Sequence, residues 1–185
     1  MTAAARAHPD KQIRVWFQDE CRVGSKGRVC HRWWIKGERP PGLCQQGYKW
    51  AYIYTAIEPA TGEDFTLVLP GVNASLMQDF LDRFAATLPA NVHAVLVLDG
   101  AGWHDRRGLC VPANISLVAL PPYSPELNPV ERVWLHLRER FLSLRVFHST
   151  AAIVDACCHA WNQLAVEPDR LRSLCAYPWI MKVTS

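Results

Sequence analysis

At 185 residues, half of them hydrophobic and with a net charge of +3, the chain is long enough to bury one ordinary core, and a single domain is expected. No run approaches the roughly 20 apolar residues of a membrane span, and Met1 to Lys11 lacks the apolar middle of a signal peptide. The seven cysteines are odd in number and irregularly spaced, which argues against a secreted disulfide framework and for a cytoplasmic protein.

Residues 1–12 read as a disordered lead. Ile13 to Gln18 is short and rich in apolar and aromatic residues, as a strand ending at Asp19 would be. Cys21 to Pro41 carries Arg22, Lys26, Arg28, Arg32, Lys36 and Arg39 around Trp33-Trp34. That segment suits either a solvated hairpin with the Trp pair packed inward or an edge that contacts nucleic-acid phosphates. Trp50–Ile57 and Phe65–Leu69, joined through Pro59-Ala60-Thr61-Gly62, form a predicted hairpin.

Ser75 followed by Gln78 resembles a capping box, and Leu76, Phe80, Leu81, Phe84 and Leu88 make the apolar face of a helix that Pro89 ends. Val92 to Leu98 is nearly continuous in apolar residues, as in a strand buried on both faces, and stops at Asp99-Gly100. Ile115 to Leu120 reads as a second buried strand, closed by Pro121-Pro122. In Asn128-Pro129-Val130-Glu131, Asn is the cap, Pro the first helical residue and Glu the third. Val130, Val133, Trp134, Leu137, Phe141 and Leu144 then form one stripe. A last helix starts near Ser149 and buries Ile153, Cys157, Trp161 and Leu164, and the tail from Glu167 packs back on the domain. This order predicts an α/β fold, a mixed five-stranded sheet with helices on both faces, whose ligands sit at the carboxyl ends of the strands.

Asp19 and Asp99 fall at those ends. Alone, each has a plain reading: Asp99-Gly100 as a turn, Asp19 as a charged strand end, Glu131 as the acid of a capping box. Together they form an acidic set that repels itself without a counter-charge. Oxygen-only ligands favour Mg²⁺ or Mn²⁺, and two such ions can activate an attacking oxygen and stabilise a leaving one, which suits a phosphodiester substrate. Lys and Arg outnumber Asp and Glu up to residue 50, acids dominate from 51 to 105, and bases return after 106. Basic flanks around clustered acids fit a polyanion held over a metal site. Zinc is disfavoured: Cys21, Cys30, His31, Cys44 and Cys157-Cys158-His159 contain no C-x-x-C spacing. Neither Ser124 nor Cys110 has a visible triad for acyl transfer.

The stretches F-Q-D-E, Arg32 with Lys36-Gly37, L-D-G-A-G-W-H and, most specifically, L-P-P-Y-S-P-E-L-N-P-V-E-R-V-W resemble the catalytic domain of bacterial insertion-sequence transposases of the mariner-like superfamily, from about Ile13 to Leu164. The resemblance implies a ribonuclease H-like fold over residues 13–185. It also implies a DDE triad of Asp19, Asp99 and Glu131 that holds Mg²⁺ or Mn²⁺, in the expected number two ions. Metal-bound water then cuts double-stranded DNA at element ends, and the freed 3′-hydroxyl attacks target DNA. His104 matches a family His near the site, and Arg22, Lys26, Arg28, Arg32 and Lys36 are candidate DNA contacts. The loop between Asp99 and Glu131 is a little shorter than in most such members. Members usually carry helix-turn-helix modules ahead of this domain, and none is expected here. The chain is therefore expected to act as a homodimer or beside a partner chain that carries the module. The alternatives are a non-catalytic DNA-binding or dimerising remnant and a cellular nuclease of the same fold.

Overall fold

The central strand, β1 (Gln12–Gly24), runs well past the expected end at Gln18. Its first half pairs parallel with β4 (Val92–Leu98), from Gln12 opposite Val92 to Phe17 opposite Val97. Its second half pairs antiparallel with β2 (Trp50–Ile57), from Phe17 opposite Ile57 to Gly24 opposite Trp50. β2 goes on supplying hydrogen-bond partners after β4 has ended, so β1 continues. Asp19 consequently lies inside a strand, not at its end, and is level with Asp99 just beyond β4. Residues 2–25, 33–39, 47–104 and 108–184 are described in the computed structural model of the chain.

β3 (Asp64–Leu69) completes the expected hairpin with β2, and β5 (Ile115–Ala119) lies parallel to β4, giving the order β3-β2-β1-β4-β5. This is the expected mixed five-stranded sheet. β4 is buried along its whole length, as its apolar run required. β5 is not: it is an edge strand, and Val118 and Ala119 are exposed, with no further strand or helix over them among the described residues. In the hairpin turn Gly62 has φ +79°, and a Cβ there would stand 2.0 Å from the carbonyl oxygen of Pro168, so both backbone hand and space require glycine.

Side chains alternate across the sheet and feed two separate cores. Trp16, Tyr54, Ala94, Leu96 and Leu98 face α2 (Ala74–Thr87), whose Met77, Phe80, Leu81 and Phe84 are buried against them. The cap of α2 is Asn73, whose side chain accepts from the Leu76 N–H at 2.9 Å; the expected cap, Ser75, already sits inside the first turn. On the other face Val15, Phe17, Cys21, Val95 and Val97 meet α3 (Val130–Leu137) and α4 (Thr150–Ala165). Ser149 caps α4 through the Ala152 N–H, as expected. The tail forms α5 (Pro168–Cys175) and α6 (Pro178–Thr184), with Leu171, Cys175 and Ile180 fully buried.

Two local expectations change. The lead is not wholly irregular: Thr2–Ala7 is a short helix, α1, with Ala4 packed on the core, and His8 stacks on the buried His93 with ring centroids 3.7 Å apart. After α3 the helix continues as a π turn, Arg138–Leu142, which inserts one residue into the helical count. The stripe therefore slips by one, and Leu142 takes the buried position that periodicity gave to Phe141. Among the described residues no helix is long and apolar enough to cross a membrane.

Candidate active site

Three elements deliver one acid each to a cleft of about 420 Å³ beyond the carboxyl end of β4, lined by Asp19, Asp99, Glu131, Asn128 and the Leu120–Pro125 segment. Asp19 comes from mid-β1 and shares the face of Phe17 and Cys21, so it points toward α3. There Trp134 Nε1 donates to Asp19 Oδ2 at 2.9 Å, and the Glu20 N–H donates to Oδ1 at 2.9 Å. Glu131 stands in the first turn of α3, where the helix dipole favours a negative charge. Asp99 follows β4 directly and is half exposed. Its Oδ1 accepts from the Ala101 N–H at 3.0 Å and faces His104 Nδ1 at 2.8 Å.

The start of α3 is tied to β1 by Asn128, which is 3% exposed. Its Nδ2 donates to the Gln18 carbonyl at 3.0 Å while its Oδ1 accepts from the Val130 N–H at 3.2 Å. Pro129, in helical conformation, occupies the cap position itself, and a 3₁₀ turn, Pro125–Leu127, precedes it. Asn128 thus still satisfies an N-terminal N–H, one residue earlier than expected, and also fixes Glu131 relative to Asp19. At the lip of the cleft Tyr123 is fully exposed and has φ 57°, a left-handed conformation uncommon outside glycine.

Asp19 is crowded by neighbouring acids, whereas Asp99 has His104 as its partner. Burial, then Glu131 and Glu20, push the Asp19 carboxyl up to about 7. The hydrogen bond from His104 holds Asp99 below the usual carboxylate range. His104 is buried, which opposes its charge, but its bonds to Asp99 and Glu20 outweigh burial and raise it to about 10. A divalent cation would relieve the strain on Asp19, and the donors are all oxygens, the set that suits Mg²⁺ or Mn²⁺. Among the described residues no three His, Cys, Asp or Glu side chains are gathered tightly enough to hold an ion by themselves. That is compatible with Mg²⁺, which takes one or two carboxylates and completes its shell with water and phosphate oxygens.

The structure brings Asp19, Asp99 and Glu131 to one cleft and sets His104 directly behind Asp99. Arg22 is exposed on β1 with its guanidinium 4.8 Å from the centre of the Trp50 ring, and Lys36 is exposed within 33–39. Lys26, Arg28 and Arg32 lie outside the described residues, as do Cys30, His31 and Cys44. The Trp pair does not pack inward: Trp33 is fully exposed and Trp34 is exposed. Trp103 packs against the α2 core and donates to Glu20. Sequence reasoning missed Trp134 and Glu20 as members of the site. Trp134 reads as one more apolar residue of a helical stripe, and only its polar edge hinted at more.

Residues 14–153 match the DDE superfamily endonuclease family. An uncharacterised protein of Sinorhizobium fredii (strain NBRC 101917 / NGR234), y4pE/y4sA, is 45% identical over 130 residues, which is 70% of this chain and 96% of that protein. Of solved structures, the Mos1 mariner paired end complex with Mn aligns at a TM-score of 0.59 and 14% identity, covering 95% of this chain and 60% of the Mos1 chain. The Mos1 strand transfer complex aligns at 0.57 and 16% identity, covering 89% and 55%. The chain thus spans little more than half the length of Mos1, and over that span the two share a ribonuclease H-like fold. With the matched region running from the start of β1 into α4 and enclosing all three acids of the cleft, the chain belongs to the DDE superfamily endonuclease family.

Proposed function

We propose that the chain is the catalytic domain of a transposase, which hydrolyses DNA phosphodiester bonds at transposon ends and transfers the freed strand to target DNA. The observation that carries this reading is the convergence of Asp19, Asp99 and Glu131, from three separate elements, on one cleft at the carboxyl edge of the sheet. These three residues would hold Mg²⁺ or Mn²⁺. When bound, a pair of such ions generates a nucleophile at neutral pH and stabilises both oxygens of an in-line displacement.

The protein's own part is placement. Trp134 fixes one oxygen of Asp19, and His104 with the Ala101 N–H fixes one oxygen of Asp99. Asn128 sets the depth at which Glu131 enters the cleft. The exposed Arg22 and Lys36 would contact the phosphate backbone without reading sequence. Double-stranded DNA, both ends and target, is the partner, with the chain acting as a homodimer or beside a chain that carries a helix-turn-helix part.

The test is nicking of supercoiled plasmid by the purified chain in Mg²⁺, Mn²⁺ or EDTA, alongside Asp19→Ala, Asp99→Ala and Glu131→Ala. Metal-dependent nicking lost in all three variants is the expected result. Nicking that survives in EDTA, or in any of the three, refutes the assignment.

A further inference from the structure

Glu20 is adjacent to Asp19 but points the other way. Strand alternation sends it to the α2 face of the sheet, with Trp16 and Gln18, and its side chain is 6% exposed. A buried carboxylate needs donors, and three converge on a single oxygen, Oε1: Gln18 Nε2 at 3.0 Å, Trp103 Nε1 at 3.3 Å and His104 Nε2 at 3.0 Å. Gln18 is fully buried, and with its amide turned to donate to Glu20 its own Oε1 has no partner among the described residues. Leaving such a buried carbonyl unpaired is unfavourable. The opposite rotamer would set that oxygen against the carboxylate, so the arrangement is organised around Glu20.

The imidazole of His104, 2% exposed, then spans from Glu20 to Asp99: Nε2 faces Glu20 Oε1, and Nδ1 faces Asp99 Oδ1 at 2.8 Å and the Asp99 carbonyl at 3.1 Å. Among the described residues both contacts to the Asp99 carboxylate fall on Oδ1, which leaves Oδ2 to the cleft. Asp99 is the first residue after β4, so its orientation depends on this contact together with the Ala101 N–H.

From this geometry we infer that Glu20 is a positioning residue for the cleft: reaching around the end of β4 through His104, it fixes the Asp99 carboxylate with one oxygen presented to a divalent cation. This rests on the proposed reading of the cleft as a metal site. Partners of this kind, one shell removed from a metal, typically change affinity 10- to 100-fold when removed.

The experiment is Mn²⁺ binding to the purified chain without DNA, followed by electron paramagnetic resonance. Glu20→Leu, which keeps volume but removes the acceptor, is expected to weaken Mn²⁺ binding at least about tenfold. Glu20→Gln, which keeps a neutral acceptor, is expected to lose only part of that. In a His104→Asn background, where the imidazole bridge is gone, Glu20→Gln should have no further effect. Should Glu20→Leu fail to fold, the Glu20→Gln pair decides the matter. Wild-type affinity in Glu20→Gln and in folded Glu20→Leu, or an undiminished Glu20→Gln effect in the His104→Asn background, overturns the inference. Asp99→Asn serves as the separate control: unchanged Mn²⁺ binding there would remove the metal site itself, not only its support.

Discussion

Trp134 is where packing and chemistry meet in one side chain. Its ring fills the α3 face of the core at 1% exposure, and its indole N–H is spent on Asp19. That donation favours the ionised carboxylate and so works against the burial and the neighbouring acids that push Asp19 up. Trp134→Phe keeps most of the buried ring and deletes the donor. It is expected to destabilise the protein by about 1–3 kcal/mol, read by urea denaturation, and to let the Asp19 carboxyl rise further, shifting the acid limb of metal-dependent nicking to higher pH. A nicking profile that does not move would mean that the bond is structural only. Asp99 and Glu131 were legible in the sequence because they stand in short motifs with strong local punctuation, a strand end before Asp99-Gly100 and a proline-rich helix start before Glu131; Asp19 was read as a strand end and lies inside β1. The Trp134–Asp19 bond was not, since 115 positions separate its partners and only the fold decides which face each occupies.

At the scale of elements, α3 owes its position to Asn128 as much as to its apolar stripe. One buried amide closes the first turn and grips the backbone of β1, so helix and strand are registered against each other by two hydrogen bonds. Asn128→Ala is expected to cost about 1–3 kcal/mol, because it leaves the buried Gln18 carbonyl and the Val130 N–H without partners. It should also slow cleavage more than Ser149→Ala, a cap on α4 remote from the cleft whose loss costs about 1 kcal/mol. Matched melting and nicking measurements on the two variants separate stability from placement, and equal losses of activity per degree of melting would refute the placement role. The helix start at Ser149 could be read from residue types because a cap is a local contract between a side chain and nearby N–H groups; the same reading missed by a residue or two elsewhere, since Pro129 and not Asn128 is the cap of α3 and Asn73 and not Ser75 that of α2. The length of β1 could not, since it depends on β2 supplying partners beyond the reach of β4. Nor could the π turn, where core packing overrides the 3.6-residue count and seats Leu142 in place of Phe141.

For the molecule as a whole, the crowding of acids around Asp19 makes stability a function of pH. Asp19 has a folded value of about 7 against 3.8 in the unfolded chain. Below 3.8 both states are protonated and the group is neutral in its effect; as pH rises the unfolded chain ionises first, so stability falls until about pH 7 and then levels off. Asp19→Asn lacks this term. Across pH 4 to 7 in EDTA, wild type is expected to lose on the order of 2–4 kcal/mol relative to Asp19→Asn, and Mn²⁺ should restore much of it in wild type alone. Parallel denaturation curves for the two proteins across that range would show that Asp19 is not perturbed. His104 acts in another window: its contribution is complete below 6.5 and is lost as pH climbs through about 10. The alternation of β1 carries a further consequence for how this chain tolerates change. Asp19 and Glu20 differ by one position and serve opposite sides of the sheet, so strand phase works as a two-way switch. A single-residue insertion or deletion between Gln12 and Gln18 would turn the cleft's acid toward α2 and its support toward α3, exchanging their duties without altering composition. Substitutions in that half of β1 can be absorbed by packing; a change of length there cannot.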